Sequence, residues 1–236
     1  MSTRRLVDRT ALITGASRGI GAAVAERFAV EGAHVVLVAR TSGGLEEVDD
    51  RIRATGGSAT LVPVDLTDFG AIDNLGAAVA ERWGHLDILV GNAATLGVLS
   101  PMGHFSHDLW QTVFALNVTA NWRLIRSFDA LLRNSDAGRA IFVTSGAASA
   151  ALPYWGAYSA SKAALESLAK VYAVEVAKTN VRVNLLDPGV VRSQMRAQAF
   201  PGEDPNTLKA PQDITEYFVE LAETACRRNG EVVRTY

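Results

Sequence analysis

The stretch Thr10–Gly21 reads TALITGASRGIG, a short apolar run followed by a loop that contains three spaced glycines. The run Thr10–Thr14 is apolar at odd and even positions alike, which is typical of a strand buried on both faces. The residues from Gly19 to Glu31 follow a helical pattern, and Gly32 suits a left-handed cap just beyond its end. This stretch therefore predicts a strand, a glycine loop and a helix in direct succession.

The rest of the chain repeats the alternation of short β-branched runs with longer amphipathic stretches. The predicted strands are Thr10–Thr14, His34–Ala39, Ala59–Pro63, Leu86–Val90, Ala140–Thr144, Val181–Leu186 and Glu231–Val233. The predicted helices are Gly19–Glu31, Leu45–Ala54, Phe69–Trp83, Asp108–Arg133, Ala157–Lys178 and Gln212–Ala225. Crossovers of this length favour an α/β fold of Rossmann type, with a doubly wound, seven-stranded parallel sheet flanked by helices on both faces.

Length and composition narrow the class of protein. The chain has 236 residues, of which 48% are hydrophobic, so we expect one domain over residues 1–236 with a large core. The 23 basic and 25 acidic residues give a net charge of −2, which provides no electrostatic reason to bind nucleic acid or an anionic membrane. A single cysteine, Cys226, excludes an intrachain disulfide, and no metal site is expected. With no apolar run near ~18 residues, we expect a cytoplasmic protein without a targeting segment.

The three glycines of the loop have separate expected uses. Gly15 permits a tight turn, Gly19 lets a pyrophosphate approach the backbone, and Gly21 lets the helix pack close to the sheet. Unpaired amides at the start of the helix supply donors and a partial positive charge for phosphate oxygens. The spacing GxxxGxG differs from the GxGxxG of the common dinucleotide fingerprint. Its place between a strand and a helix nevertheless favours a dinucleotide site over a turn that serves chain geometry alone.

The end of the second strand indicates which dinucleotide binds. An acidic residue there would bind a ribose 2′-hydroxyl, whereas Arg40 stands at that point and favours the 2′-phosphate of NADP(H). Arg18 in the glycine loop is a second cation that could reach the same phosphate. The alternative is that both are solvated surface arginines. Asp65 after the third strand is interpreted either as an acceptor for the adenine amino group or as the N-cap of the next helix.

Tyr158 and Lys162 are four residues apart in a helical stretch, which places them on one face roughly 6 Å apart. Lowering a tyrosine pKa from near 10 to about 7 takes on the order of 4 kcal/mol. An ammonium at ~6 Å supplies about 2.8 kcal/mol at an effective dielectric of ~20, and an oxidised nicotinamide ring could supply the rest. Ser145 ends the fifth predicted strand, where a hydroxyl can hold a carbonyl oxygen. The set predicts acid–base chemistry with Tyr158 as the proton donor and acceptor.

Taken together, TGASRGIG, Ser145, the YSASK of residues 158–162 and the DPG of residues 187–189 resemble the short-chain dehydrogenase/reductase family over nearly the whole chain. The resemblance implies that Ser145, Tyr158 and Lys162 are catalytic and that Asn117 anchors a proton-relay water. It also implies that Lys162 binds the nicotinamide ribose. The residues expected at the cofactor are Gly15, Ser17, Arg18, Gly19, Ile20, Gly21, Arg40, Thr41, Asp65, Leu66, Asn92, Ala93, Tyr158, Lys162, Pro188, Gly189, Val191 and Ser193.

Three positions, residues 91, 94 and 193, depart from the family pattern, and the resemblance also implies an assembly. The family's Asn-Asn-Ala-Gly reads GNAA at residues 91–94, and Ala94 would be strained if its position needs a positive φ. Ser193 stands where the family usually has threonine. The sequence stops at Tyr236, without the glycine-bearing tail that packs at a subunit interface in many members. The resemblance implies a homodimer or homotetramer that packs the helices Asp108–Arg133 and Ala157–Lys178.

The sequence thus predicts an NADP(H)-dependent oxidoreductase that interconverts a carbonyl and a secondary alcohol. Its substrate pocket is expected to be apolar, with Arg196–Pro211 as an irregular surface loop or lid. The residues expected near the pocket are Leu152, Tyr154, Trp155, Met195 and Phe200. Two alternatives stay open: a 3-oxoacyl thioester reductase, for which Arg192 and Arg196 could form a basic patch, and a non-enzymatic NADP-binding sensor or scaffold. His104 and His107 are interpreted as ordinary loop and helix residues.

Overall fold

Seven parallel strands form one sheet at the centre of the computed structural model, which describes residues 4–236. The strands are β1 Thr10–Thr14, β2 His34–Ala39, β3 Ser58–Pro63, β4 Ile88–Gly91, β5 Arg139–Val143, β6 Arg182–Asp187 and β7 Val232–Arg234. Their spatial order is β3-β2-β1-β4-β5-β6-β7, and every neighbouring pair is parallel. The predicted doubly wound seven-stranded sheet is confirmed.

Helices cover both faces of the sheet. They are α1 Gly19–Val30, α2 Ser42–Ala54, α3 Phe69–Trp83, α4 His107–Phe114, α5 Ala120–Asn134, α6 Gly156–Glu175, α7 Gln194–Ala199 and α8 Thr215–Ala222. One apolar core packs α1, α2 and α8 against the sheet, and the other packs α3, α5 and α6. Ile13 of β1 packs in the first core and Leu12 packs in the second. Successive side chains of a strand point to opposite faces of the sheet, and helices cover both faces here. Within residues 4–236, no helix combines the length and apolar composition needed to cross a bilayer.

The chain reverses its direction of travel across the sheet between β1 and β4. From β1 it proceeds to β2 and β3 on one side, then returns so that β4 pairs with the other edge of β1. The connections after β1 and β4 therefore diverge, and a crevice opens beyond the carboxyl ends of the strands. The glycine loop, Ser145 and Asp187 all follow or end strands at this edge.

Several predicted bounds are shifted by one to three residues; α2, for example, begins at Ser42 instead of Leu45, and α6 ends at Glu175 instead of Lys178. Three further segments differ in the kind of structure they form. The helix expected at Asp108–Arg133 is interrupted by a π-helical turn over Ala115–Thr119, a local widening that hydrophobic periodicity does not report. The last predicted helix is shorter, because Pro211–Ile214 forms a 3-10 turn and α8 ends at Ala222. The segment expected to be irregular begins inside α7, whose N-cap Ser193 accepts a hydrogen bond from the backbone N–H of Arg196 (3.1 Å).

At the opposite edge of the sheet, two buried arginines hold the end of α8. The Arg139 guanidinium donates to the carbonyl oxygens of Glu223 (3.1 Å) and Thr224 (2.8 Å), and Arg9 donates to that of Ala222. Burial lowers the pKa of Arg139 to about 10, so it stays charged at neutral pH. A cation at the C-terminal end of a helix is favourable because the last carbonyls carry partial negative charge. These contacts hold the end of α8 against the sheet, at the edge opposite the crevice.

Phe128 of α5 tests the core between the sheet and the helices α3, α5 and α6, because its side chain is fully buried there. We expect Phe128→Ala to lower the free energy of unfolding by about 3–5 kcal/mol, through lost burial and the cavity that remains. Val30→Ala on α1 is the control, since Val30 is 47% exposed and its loss should change stability by less than about 0.5 kcal/mol. Urea denaturation followed by circular dichroism measures both. Equal effects of the two variants would contradict this packing.

Candidate active site

The loop between β1 and α1 has the backbone geometry that a phosphate cradle requires. Gly15 and Gly19 have positive φ, at +66° and +58°. A Cβ at Gly21 would lie 2.3 Å from the carbonyl oxygen of Gly15, whereas a Cβ at Gly19 would meet no atom within 4 Å. Gly21 thus allows close packing, and Gly19 faces open space. Arg18 stands at the N-cap of α1 without a side-chain hydrogen bond, so the first amides of the helix have no side-chain cap and can serve an anion.

Thr14 joins this loop to the end of β4. Its hydroxyl donates to the carbonyl oxygen of Val90 (3.1 Å) and accepts from the backbone N–H groups of Asn92 (2.9 Å) and Ala93 (3.1 Å). The side-chain amide of Asn92 donates in turn to the carbonyl oxygen of Thr14 (2.8 Å). The structure therefore brings Asn92 and Ala93 to the crevice beside the glycine loop. Sequence reasoning gave Thr14 no role, although it is the first residue of the glycine motif.

The structure accounts for both departures in residues 91–94. Among residues 4–236, only Asp8 and Tyr154 are non-glycine residues with positive φ, so Ala94 is not strained. A Cβ at Gly91 would lie 2.4 Å from the side-chain oxygen of Asn121 and 2.5 Å from the ring of Phe142. A side chain at residue 91 would therefore overlap Asn121 and Phe142 as they are placed here, so glycine fits this position.

The residues expected at the adenosine end lie on the loops after β1, β2 and β3. Gly44 of α2 lies between the loop after β1 and the loop after β2. A Cβ at Gly44 would be 2.9 Å from Ser17 of the first loop and 3.3 Å from the hydroxyl of Thr41 in the second. Arg18 and Arg40 are the exposed cations on these two loops, and Ile20 and Leu66 pack inward.

Asp65 does not cap the helix that follows it. Asp68 is the N-cap of α3 and accepts from the backbone N–H of Ala71 (3.2 Å), so the capping interpretation of Asp65 is wrong. One carboxylate oxygen of Asp65 accepts from the backbone N–H (2.9 Å) and the hydroxyl (2.8 Å) of Thr67. These hydrogen bonds, together with the charge of Arg40, lower the pKa of Asp65. The acceptor interpretation of this exposed carboxylate stays a prediction.

Tyr158 and Lys162 lie buried on the first turns of α6, beside Ser145 at the end of β5. The ammonium of Lys162 lies 5.7 Å from the centre of the Tyr158 ring and donates to the carbonyl oxygen of Val143 (2.8 Å). Burial lowers the pKa of Lys162 to about 8. Lysine has three donors, so two remain without a protein acceptor among the described residues. The amine is thus held at the crevice with unused hydrogen-bonding capacity.

In the protein alone the pKa of Tyr158 is raised, so its predicted lowering, which requires a bound oxidised cofactor, stays a prediction. Burial raises the pKa of Tyr158 to about 12, the nearby hydroxyl of Ser145 opposes the rise, and the charge of Asp187 adds to it. The physical reason is that removing a phenolate from water costs more than the surrounding groups return. Tyr158 is therefore protonated at neutral pH in the free protein.

Asn117 lies at the π-helical turn and is fully buried. Its side-chain amide donates to the carbonyl oxygen of Thr95 (2.9 Å) and the hydroxyl of Ser161 (3.0 Å), and its oxygen accepts from the backbone N–H of Thr95 (2.8 Å). Ser161 donates to the carbonyl oxygen of Tyr158 (2.7 Å), so Asn117 is joined to the turn that carries the tyrosine. Sequence reasoning found Asn117 but not Thr95 or Ser161, because these partners come together only through the fold.

The segment after β6 forms the other wall of the crevice. Gly189 has a φ of +63°, and its backbone N–H donates to a carboxylate oxygen of Asp187 (3.0 Å). The other oxygen of Asp187 accepts from the hydroxyl of Tyr236 (2.9 Å), whose ring lies against Gly189. Pro188 and Val191 are buried. Neither Asp187 nor Tyr236 was assigned a role, and the only signal was the position of the aspartate before Pro-Gly.

An apolar cluster lies against Tyr158 and suits a substrate pocket. Its members are Leu96, Leu99, Ala147, Trp155, Tyr158, Met195 and Ala199. The ring of Trp155 is 5.9 Å from that of Tyr158 and 5.9 Å from that of Phe200. Leu152 and Tyr154, which we expected at the pocket, are exposed and lie outside this cluster.

Side-chain contacts hold α7 over the cluster. The side-chain amide of Gln198 donates to the carbonyl oxygen of Gly97 (2.9 Å), which joins α7 to the loop after β4. Arg196 forms two hydrogen bonds with Glu203, both of 2.6 Å, and stacks over the ring of Phe200 at 3.7 Å. Arg196 is thus engaged within the segment. His104 and His107 are exposed, and residues 4–236 contain no group of three His, Cys, Asp or Glu side chains arranged to hold a metal ion.

A sequence profile described as short chain dehydrogenase matches residues 9–204. The chain belongs to the short-chain dehydrogenase/reductase family of oxidoreductases. Among the relatives of this short-chain dehydrogenase is the uncharacterized oxidoreductase YciK of Escherichia coli strain K12, which is 38% identical over 226 residues, covering 94% of this chain and 89% of YciK.

Solved structures of the family superpose on nearly the whole chain. A short chain dehydrogenase of Shigella flexneri 2a, complexed with NADP, is 35% identical and gives a TM-score of 0.94 over 99% of both chains. A short chain dehydrogenase of Escherichia coli CFT073, complexed with NADPH, is 35% identical and gives 0.93 over 99% of both chains. The likeness extends across the glycine loop, the Tyr158 site and the segment after β6.

Gly21 tests the packing of the glycine loop. We expect Gly21→Ala to lower the free energy of unfolding by about 1–3 kcal/mol, because its Cβ would overlap the backbone of Gly15. Gly43→Ala in α2 makes the same change where a Cβ meets nothing within 4 Å, so we expect unchanged or raised stability. Urea denaturation of both variants measures the difference. If Gly21→Ala is as stable as Gly43→Ala, this loop geometry is wrong.

Proposed function

We propose that this family member is an NADP(H)-dependent oxidoreductase that interconverts a carbonyl compound and a secondary alcohol. The proposal is carried by one observation: the buried phenol of Tyr158 has the hydroxyl of Ser145 and the ammonium of Lys162 beside it, in the crevice into which the glycine loop opens. A proton donor, an oxygen-binding hydroxyl and a phosphate cradle in one crevice suit hydride transfer to a carbonyl.

The residues present fit a dinucleotide. The open space beside Gly19, the amides at the start of α1 and the unused donors of Lys162 match phosphate and ribose oxygens. Arg18, Arg40 and Thr41 would hold the 2′-phosphate, and the segment from Pro188 to Ser193 would hold the nicotinamide. The related structures complexed with NADP and NADPH support this choice. When bound, the cofactor supplies or accepts the hydride at the substrate carbon.

In the reducing direction, the chain supplies the proton and holds the oxygen. Tyr158, with a pKa raised to about 12 by burial, is protonated and donates its proton to the substrate oxygen. The backbone N–H of Ala147 donates to Ser145 (3.2 Å), which leaves the serine hydroxyl hydrogen to donate to that oxygen. The positive charge of Lys162 favours the phenolate that forms. Asn117 keeps the start of α6 in place and stays the proposed anchor of a proton-relay water.

The pocket favours a partly hydrophobic carbonyl substrate. Of the two arginines that could form a basic patch, Arg196 is paired with Glu203 and Arg192 is exposed, which weakens the case for a thioester reductase. A non-enzymatic sensor would bind NADPH without turning over any carbonyl compound. Exposed apolar side chains on α5 and α6, Trp122, Val171 and Val174, support the expected homodimer or homotetramer.

Tyr158→Phe tests the acid–base role. We expect turnover of a carbonyl panel with NADPH to fall by about 100-fold or more, because phenylalanine has no proton to donate. NADPH affinity, followed by cofactor fluorescence, should change little. Tyr172→Phe is the matched control, since Tyr172 is also buried on α6 but donates to Asp129 (2.8 Å) away from the crevice. Full activity of Tyr158→Phe would refute the mechanism, and NADPH binding by wild type without any turnover would favour a sensor.

Arg40→Asp tests cofactor choice. Hydrogen bonds to charged groups are worth about 1.5–3 kcal/mol, so the NADPH-over-NADH preference in kcat/KM should fall by about tenfold or more. The new carboxylate would also repel the 2′-phosphate. Arg227→Asp makes the same charge change on an exposed residue beyond α8 and should leave the preference unaltered. An unchanged preference in Arg40→Asp would show that Arg40 does not contact the phosphate.

A further inference from the structure

Asp187 is a buried carboxylate, 2% exposed, whose partners are all neutral. One oxygen accepts from the backbone N–H of Gly189 (3.0 Å) and the other from the hydroxyl of Tyr236 (2.9 Å). Among the described residues, no lysine or arginine forms an ion pair with it. Arg234 on β7 is in register with Asp187 and acts on the hydroxyl of Tyr236, but its side chain is exposed and forms no ion pair with the carboxylate. A buried carboxylate whose direct hydrogen-bond partners are neutral favours a cation that binds beside it.

The carboxylate lies beside the reacting groups. Asp187 is the last residue of β6, at the crevice edge of the sheet. A Cβ at Gly146, the residue after Ser145, would lie 3.5 Å from the Asp187 oxygen that accepts from Tyr236. The charge of Asp187 also acts on Tyr158 and adds to the rise in the pKa of the phenol. Pro188 and Gly189, the first residues of the proposed nicotinamide segment, follow it directly.

We propose that Asp187 makes the site bind the oxidised, positively charged nicotinamide more tightly than the neutral reduced form, and so favours carbonyl reduction. This inference rests on the proposed function. The two redox forms share the adenosine, both phosphates and the 2′-phosphate, and differ in the charge of the pyridine ring. A carboxylate near that ring stabilises only the charged form.

The consequence for direction follows from the balanced reaction. Carbonyl, NADPH and one proton give alcohol and NADP⁺, with the hydride going to the carbonyl carbon and the proton from Tyr158 to the oxygen. Stabilising NADP⁺ on the protein lowers the reduction potential of the bound couple and strengthens hydride donation. It also offsets the repulsion between the pyridinium and the buried ammonium of Lys162.

The test is the ratio of dissociation constants for NADP⁺ and NADPH, measured by isothermal titration calorimetry on the full chain. The ratio cancels every contact that the two forms share, including those of Arg18 and Arg40. Asp187→Asn removes the charge and keeps the shape, and its side-chain oxygen can still accept from Gly189. We expect the ratio of the NADP⁺ constant to the NADPH constant to rise about tenfold, which corresponds to about 30 mV for a two-electron couple.

Asp129→Asn is the matched control. Asp129 also accepts from a tyrosine hydroxyl, that of Tyr172, and this tyrosine lies 14 residues beyond Tyr158 on α6, about 21 Å along the helix. Its loss should leave the ratio unchanged. Should Asp187→Asn fail to fold by circular dichroism, Asp187→Ser removes the same charge from a smaller side chain.

The outcomes separate this inference from the function on which it rests. A raised ratio in the Asp187 variant, with the control unchanged, supports the role of Asp187. Wild-type binding of both forms with a ratio that the Asp187 variant does not alter overturns the inference and leaves the proposed function standing. A wild-type protein that binds neither form overturns the proposed function and the inference together.

Discussion

The hydroxyl of Thr14 holds the ends of β1 and β4 together at the point where their connections diverge, and the crevice depends on this contact. It donates to the carbonyl oxygen of Val90 and accepts from two amides of the next loop, and the side chain of Asn92 reinforces the junction by donating to the carbonyl oxygen of Thr14. The glycine loop, with Gly21 packed under Gly15, is built on one side of this junction. The strand order makes the connections after β1 and β4 diverge at this edge, which opens the crevice for a ligand.

A second constraint is the burial of ionisable groups at this edge. Burial alone opposes charge on Tyr158 and Lys162, since it raises the pKa of the phenol and lowers that of the amine. Tyr158 is thus neutral at neutral pH, whereas Lys162, with a pKa of about 8, still carries its positive charge. Asp187 adds a negative charge that neutral donors solvate but do not cancel. In the proposed function, a cationic ring bound beside Asp187 would compensate this charge.

The sequence pattern predicted most of the fold because the signals for strands and helices depend on residues that are close together in the chain. A strand such as Thr10–Thr14 is apolar on both faces, and its length is set by the glycine that follows. The predicted bounds of β1, β2 and α3 are those of the structure. The long helix that carries Asn117 was wrong in its middle, because a π-helical turn keeps the same apolar periodicity on either side.

The site, like the fold, has features that the local sequence predicts and features that only tertiary contacts determine. Glycine spacing, the Tyr158–Lys162 interval and Arg40 at a strand end are features of residue type and separation, and these alone indicated a dinucleotide and a proton donor. Thr95 against Asn117 and Tyr236 against Asp187 are contacts between residues distant in sequence, so no spacing rule reports them. The direction of the Tyr158 pKa shift also depended on the fold. It is set by how deeply the phenol is buried and by which charges surround it, and both arise only when separate strands and helices converge.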